Sequence, residues 1–108
     1  MPIINSIITA AGGSAAANVY ASVGNTAVTT MYLVNATNSA VTVNVFAVAG
    51  GANVANPLRN LLYSNLVIAG NDTYVIDSER LLMSQGDSIR ANASTGSSVL
   101  ATLSFTSI

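Results

Sequence analysis

Residues 27–49, AVTTMYLVNATNSAVTVNVFAVA, decide the fold class of this chain. Two runs rich in Val and Thr flank a short segment of Asn, Thr and Ser, and β-branched residues favour strands. In the second run, Val alternates with Thr and Asn from Val41 to Val45, which is the period of a strand with one buried face. Residues 35–39 include Asn and Ser, which bond to their own backbone and tolerate left-handed conformations, so they predict a hairpin turn.

The same pattern extends over the rest of the chain. Runs of Val, Ile, Thr, Tyr and Leu are separated by clusters of Gly, Asn, Ser and Asp roughly every ten residues, and no helical period is present. This predicts an all-β fold, a two-sheet antiparallel sandwich or jelly roll, in one domain at 18–108. The predicted strands are 2–9, 18–22, 27–36, 40–49, 60–69, 73–77, 80–83, 88–94 and 98–106.

The first 17 residues differ from the rest. The segment AAGGSAAA at 10–17 is too flexible to fix the position of the strand before it. We therefore predict a flexible N-terminal arm at 1–17, whose residues 1–9 become ordered only in an assembly.

Charge is scarce in this chain. It contains three basic and four acidic side chains, 6% of its residues, where soluble domains usually carry about 25%. None of them precedes Arg59. Because charge keeps soluble monomers apart, the composition predicts permanent self-assembly or docking on another protein.

The composition also excludes several functions. The chain has no His and no Cys, so it lacks a base that titrates near neutral pH and a thiolate ligand for a metal. Three basic residues cannot neutralise a series of phosphates, which argues against nucleic-acid binding. Polar residues interrupt every apolar run before it could span a membrane, and the N-terminus lacks the positive charge of a signal peptide. We expect a protein that is not an enzyme, without a cofactor or a metal.

The acidic residues offer one candidate site. Asp77, Glu79 and Asp87 could form a glycosidase pair or a calcium site, but their spacing lacks the density of a calcium loop. A turn cluster neutralised by Arg80 and Arg90 is the favoured interpretation. In the same region, Gly86-Asp87-Ser88-Ile89 predicts a turn in which Gly86 adopts a positive φ, Asp87 or Ser88 caps backbone donors, and Ile89 returns to the core.

Alternation along two strands indicates contact residues. In 98–105, Leu100 accompanies Thr102 and Ser104 on the side opposite the apolar core residues, and Phe46 accompanies Thr42 and Asn44 in 41–48. Either side chain could be covered by a loop; with so little charge, a protein-covered outer face is also plausible. The apolar strand of the arm could add to the sheet edge of a neighbour. The predicted interface residues are Ile3, Ile4, Ile7, Ile8, Phe46 and Leu100.

Three stretches carry a resemblance to a known group of proteins. MYLVNATNSAVTVNVFAVAG at 31–50, LLMSQGDSIRANAS at 81–94 and SSVLATLSF at 97–105 resemble small β-rich virion proteins of tailed bacteriophages. Tyr20 matches a slot that often holds Tyr or Trp in those chains, while residues 1–17 have no counterpart. The resemblance spans residues 18–108, and its motifs are patterns of strands and turns without catalytic residues.

The resemblance implies a capsid decoration (cement) protein on the virion surface, assembled in the host cytoplasm. It implies the major capsid protein or another virion protein as partner, and a homo-oligomer, with a trimer favoured because icosahedral shells offer three-fold junctions. A neck, tail or fibre component is the alternative within the virion. A lectin-like binding module using Tyr20, Tyr63 or Tyr74 is a further alternative, which the lack of Trp makes less favourable.

Overall fold

The computed structural model describes residues 3–9, 17–50, 61–76 and 81–107. Their regular structure consists of strands, each of which overlaps a strand predicted from the sequence, so the all-β prediction is confirmed. No helix in these ranges is long and apolar enough to cross a bilayer. The strands are β1 (Ile3–Ile8), β2 (Ala17–Ala21), β3 (Thr26–Asn35), β4 (Val41–Val48), β5 (Leu61–Ile68), β6 (Thr73–Ile76), β7 (Leu81–Met83), β8 (Ser88–Ala93) and β9 (Val99–Ser107).

The strands form two antiparallel sheets that pack face to face. Sheet 1 has the order β1-β9-β3-β6, and sheet 2 has the order β2-β8-β4-β5. β7 pairs with the first residues of β3, on the same edge where β6 pairs with its last residues. The chain passes from one sheet to the other at most connections, and β4 and β5 pair as neighbours within sheet 2. This strand order is that of a jelly roll, so the predicted sandwich is confirmed.

One local prediction is wrong. Residues 35–39 do not close a hairpin, because β3 belongs to sheet 1 and β4 to sheet 2. The expected local bonds are nevertheless present: the Oδ1 atom of Asn35 accepts the backbone N–H of Thr37 at 3.0 Å. The same side chain donates to the carbonyl of Ile68 at 3.0 Å, which ties this turn to the end of β5. The turn therefore bridges the two sheets.

The strand predicted at 2–9 is present and belongs to sheet 1. Ile3–Ile8 form β1, which pairs with β9 over six residues in continuous register, and Ile8 is 1% exposed. Burial of Ile8 and backbone pairing fix this strand within its own chain, so the separate arm does not extend over these residues. Residues 10–16, which hold most of the predicted flexible segment, lie outside the described residues.

The core lies between the sheets and is built from inward side chains of both. Small residues of β8 and β9, including Ala91, Ala93 and Ala101, are almost fully buried among larger aliphatic ones, which lets the sheets approach to the usual distance of about 10 Å. Tyr20 and Phe105 close one end of the core, with ring centroids 5.0 Å apart. The largest fully buried side chains are Ile8, Leu33, Ile68, Ile89, Leu103, Val43, Val45, Val99 and Asn35.

Candidate functional site: the outer face of sheet 1

The outer face of sheet 1 is formed by side chains of four neighbouring strands, whose paired residues line up in rows across the sheet. Ile7 of β1 lies opposite Leu100 of β9, which lies opposite Val34 of β3. Because cross-strand partners share a face and successive residues alternate, the next row starts two residues away. That second row consists of Asn5, Thr102, Tyr32 and Val75. We call this surface, with Ile3 and Ser104 at its end, the uncharged face.

Large apolar side chains on the uncharged face are accessible to solvent. Ile3 is 67% exposed and Ile7 56%, while Tyr32, Val75 and Leu100 are between 36% and 43% exposed. They come from four neighbouring strands, so the apolar atoms form a group instead of isolated side chains. Single exposed apolar residues are ordinary, but a contiguous group of them is typical of an interaction site.

No charged residue in the described ranges belongs to the uncharged face. Asp72 lies in the β5–β6 turn, Asp87 in the β7–β8 turn, and Arg90 on β8 of sheet 2. The polar members of the face are hydroxyl and amide groups, and the hydroxyl of Thr102 donates to Oδ1 of Asn5 at 2.9 Å. Neutral groups of this kind cost less to desolvate than charges. Covering the described side chains of this face with another protein would therefore bury no ion.

The outer face of sheet 2 has a different character. Asn44 donates through Nδ2 to Oδ1 of Asn92 at 2.9 Å and accepts the backbone N–H of Asn65 at 2.8 Å. Phe46 and Val48, which share this side of β4, are 4% and 2% exposed. Phe46 and Val48 are thus already covered, and Val67, opposite Thr42 on this side and 62% exposed, has the bonded Asn44 and Asn65 beside it, so this face offers a partner less apolar surface than the uncharged face.

The six predicted contact residues separate into three groups. Ile3, Ile7 and Leu100 come together on the uncharged face. Ile4 and Ile8 alternate with them and point to the inner side of β1, where Ile8 is buried. Phe46 pairs with Arg90 and therefore lies on the outer side of sheet 2. Other residues of the same chain bury its side chain, which is 4% exposed.

Two members of the face, one aromatic and one aliphatic, are not among the contacts predicted from the sequence. Tyr32 and Val75 lie directly opposite each other on β3 and β6. Their own strands give no sign of which side faces solvent, because large apolar residues occur on both sides of β3 and of β6. The signal lies in the pairing of β3 with β9, which joins residues about 70 positions apart and is absent from any local pattern.

The β7–β8 turn has the structure that its sequence predicts. Gly86 has a φ of 92°, and the carboxylate of Asp87 accepts the backbone N–H of Ser84 at 2.9 Å and of Gly50 at 2.8 Å. These two donors, Ser84 first, hold the pKa of Asp87 below its ordinary value of 3.8. Ile89 is fully buried. Asp87 is therefore a structural cap that connects this turn to the end of β4.

The acidic cluster weighed as a site falls largely outside the described residues, which do not include 77–80. Within the part of the chain that the structure describes, no group of three acidic side chains is placed to hold a metal ion. Arg90 donates through Nε to the hydroxyl of Ser88 at 3.2 Å. The surface that the geometry favours as a functional site is the uncharged face.

Comparison of the chain with protein-family models, with curated proteins and with solved structures finds no significant match.

Proposed function

We propose that this chain is a structural protein of a bacteriophage virion that decorates the capsid shell and stabilises it. The observation that carries the proposal is the uncharged face, an exposed and partly apolar surface on a sheet of a closely packed core. Most soluble proteins do not present such a surface to water, and where it occurs it marks a site for another protein. A protein with this surface and no residue that titrates near neutral pH acts by binding rather than by catalysis.

The strand order supports a place in a virus particle. Eight-stranded jelly rolls are frequent in capsid proteins and also in lectins, so the fold alone does not choose between these functions. The surface chemistry favours the capsid. A decoration protein needs a broad face that another protein can cover, whereas a lectin needs polar groups and an aromatic platform in a small site.

The size of the face suits a stable contact. The two longer dimensions of the molecule are 38 and 29 Å, so a broad side with that outline presents roughly 900 Å². Standard protein interfaces bury about 800 Å² on each partner. A contact centred on the uncharged face and extending over the rest of this side would therefore be large enough for specific binding to the major capsid protein or another virion protein.

Shell stabilisation follows from selective binding. If the chain binds the assembled shell and not its separated subunits, each bound copy shifts the equilibrium towards the shell by mass action. We place the protein on the capsid surface, assembled there in the host cytoplasm, and we expect copies to associate with one another. A neck, tail or fibre component would use the same face against a different partner.

The test is binding to capsids from the virus that encodes the chain, prepared without this protein by deleting its gene. Recombinant protein is mixed with these capsids and the bound fraction is measured by ultracentrifugation. Val75→Asp and Tyr32→Asp put a charge on the uncharged face, and Val67→Asp puts one on an exposed position of β5 in sheet 2. The thermal midpoint of each variant confirms that it is folded.

We expect saturable binding of the wild type and of Val67→Asp, and a loss of at least about tenfold in affinity for the two face variants. A wild type that stays in the supernatant at all concentrations would contradict the proposal. Equal binding by all variants would show that another surface makes the contact.

One observation favours a second candidate function. Tyr32 is 40% exposed and stands in the same row as the bonded pair of Asn5 and Thr102, an arrangement that could hold a sugar ring. A lectin-like module is therefore the alternative, and a glycan array separates the two. Reproducible binding to one glycan class that Tyr32→Ala abolishes would favour the module over the decoration protein.

A further inference from the structure

β1 forms one edge of sheet 1. It pairs with β9 on one side and has no strand neighbour on the other among the described strands. Such an edge presents a row of backbone donors and acceptors to which another chain can pair. Natural proteins normally protect their edges with charges, Pro, bulges or very short strands.

The other sheet edges of the described chain have such protection. The register of β2 shifts between Asn18 and Tyr20. β5 contains Asn65 in a left-handed conformation with φ 51°, next to register shifts against β4. At the remaining edge, β6 and β7 are only four and three residues long. Bulges twist an edge and short strands offer few bonds, so none of these edges is a good template for pairing.

β1 has none of these protective features. It pairs with β9 over six consecutive residues without a register shift. Its sequence, IINSII, contains no charge, no Pro and no Gly. The exposed side chains of Ile3 and Ile7 add apolar surface beside the unprotected backbone groups.

We propose that β1 of one copy pairs antiparallel with β1 of a second copy around a two-fold axis, which joins the two copies of sheet 1 into one continuous sheet. A two-fold interface brings the same patch against itself and therefore has to be self-complementary. β1 meets this requirement because it carries no charge that would repel its copy. The inference deepens the proposed structural role, on which its biological meaning rests, and names a second copy as a partner.

The alternation of β1 restricts the register of this pairing. Residues directly opposite each other must point to the same side of the continuous sheet, so the axis passes through a residue and not between two residues. With Asn5 on the axis, Ile3 of each copy lies opposite Ile7 of the second copy. With Ser6 on the axis, Ile4 lies opposite Ile8 instead.

Burial selects between these two registers. Ile8 is already 1% exposed, whereas Ile3 and Ile7 are 67% and 56% exposed. Of the two, the register centred on Asn5 places the exposed Ile3 and Ile7 directly against each other, so it buries the most remaining apolar area. The Asn5 amide has both donors and an acceptor, so the two amides can bond each other at the axis. The geometry thus assigns Asn5 to the two-fold axis.

This arrangement changes the expected assembly. Two copies joined through β1 present one uncharged face that is twice as wide as that of a single copy. A closed two-fold contact yields a dimer, in place of the trimer that the resemblance implies.

Single cysteines test the register, because the chain has no native Cys. In Asn5→Cys, the two thiols lie opposite each other at a distance suited to a disulfide, and we expect most of the protein to become a covalent dimer under mild oxidation. Ile3→Cys alone should form little dimer, and a mixture of Ile3→Cys with Ile7→Cys should form the mixed dimer. Val23→Cys, at a turn position that is 87% exposed, measures random collision.

If Asn5→Cys cross-links no faster than Val23→Cys, or more slowly than Ile3→Cys alone, the proposal is overturned. A second variant tests the contact without cysteines. Asn5→Lys puts two like charges opposite each other at the axis, which should weaken self-association by at least about tenfold in light scattering. Lys at the exposed position Val67 should have no such effect.

The two proposals fail separately. Because Asn5 belongs to the uncharged face, the cross-linking of Asn5→Cys is compared with the capsid binding of the wild type, and cross-linking above the level of Val23→Cys together with saturable capsid binding supports both. Cross-linking at the level of Val23→Cys together with normal capsid binding would remove the β1 contact and leave the decoration role. A trimer in light scattering would also contradict the two-fold contact. A dimer that fails to bind capsids would support the β1 contact and contradict the decoration role.

Discussion

Replacing Asn35 with Ala removes a side chain that holds two connections together at one end of the sandwich. Asn35 is 0% exposed. Its Nδ2 atom donates to the carbonyls of Ser39 at 2.8 Å and Ile68 at 3.0 Å, and its Oδ1 atom accepts the backbone N–H of Thr37 at 3.0 Å. The substitution therefore removes bonds to the β3–β4 turn and to the end of β5 at once.

The expected cost follows from the exposure of each partner. The bond to the Ile68 carbonyl is buried, and a buried acceptor left without a donor costs about 1–3 kcal/mol. The bonds to Ser39 and Thr37 are partly exposed, so water can replace them and each loss is about 0.5–1.5 kcal/mol. We expect Asn35→Ala to lower the free energy of unfolding by about 2–6 kcal/mol, a large share of the roughly 5–15 kcal/mol that is typical of a domain.

Urea denaturation followed by far-UV circular dichroism measures this cost. Asn38→Ala is the matched control, since Asn38 lies in the same turn with an exposed side chain, and it should change the free energy of unfolding by less than about 0.5 kcal/mol. If Asn35→Ala costs less than about 1 kcal/mol, or no more than the control, the bonds of Asn35 do not hold this end of the sandwich together as we argue.

Three further predictions follow from other positions. Gly70→Ala should destabilise by about 1–3 kcal/mol, because its Cβ would lie 2.5 Å from the backbone of Asn38; Gly24→Ala, with nothing within 4 Å of its Cβ, should be near neutral in the same urea titration. The lowered pKa of Asp87 means that its carboxylate stabilises the fold above its ordinary pKa and that this contribution is lost as pH falls through the lower folded pKa. Below about pH 4, the thermal midpoint of the wild type should therefore fall more steeply than that of Asp87→Asn, and parallel curves would refute this role. Phe46→Ala should lower the free energy of unfolding by about 3–5 kcal/mol because Phe46 is buried. Unchanged stability together with weaker self-association would instead show that Phe46 contacts a second copy.

The strands and turns were predictable because their signals are local. The alternation in 41–45 and in 99–103 correctly identified inward and outward sides, and Leu100 is on the outer side as predicted. Gly86 and Asp87 adopt the predicted turn because positive φ and side-chain capping depend on neighbours within a few residues.

The errors concern which strands are neighbours. The turn after Asn35 has hairpin residues but joins two sheets, because β3 pairs with β9 and β6 instead of β4. Residues 2–9 are predicted from sequence as a strand or arm, but the flexible sequence after them hides the pairing of β1 with β9. The same long-range pairing brings Ile7 beside Leu100 and, across β9, Tyr32 into the same face. The candidate site could therefore be predicted only in part.

The most direct test of the proposed virion role is quantitative mass spectrometry of virions purified from the source of the gene. A structural role predicts that peptides of this chain co-purify with the virion through a density gradient, at a fixed ratio to the major capsid protein in every preparation. Capsids lacking the chain should also disassemble at a lower temperature than complete ones. A chain that is abundant in infected cells but absent from gradient-purified virions would contradict the account.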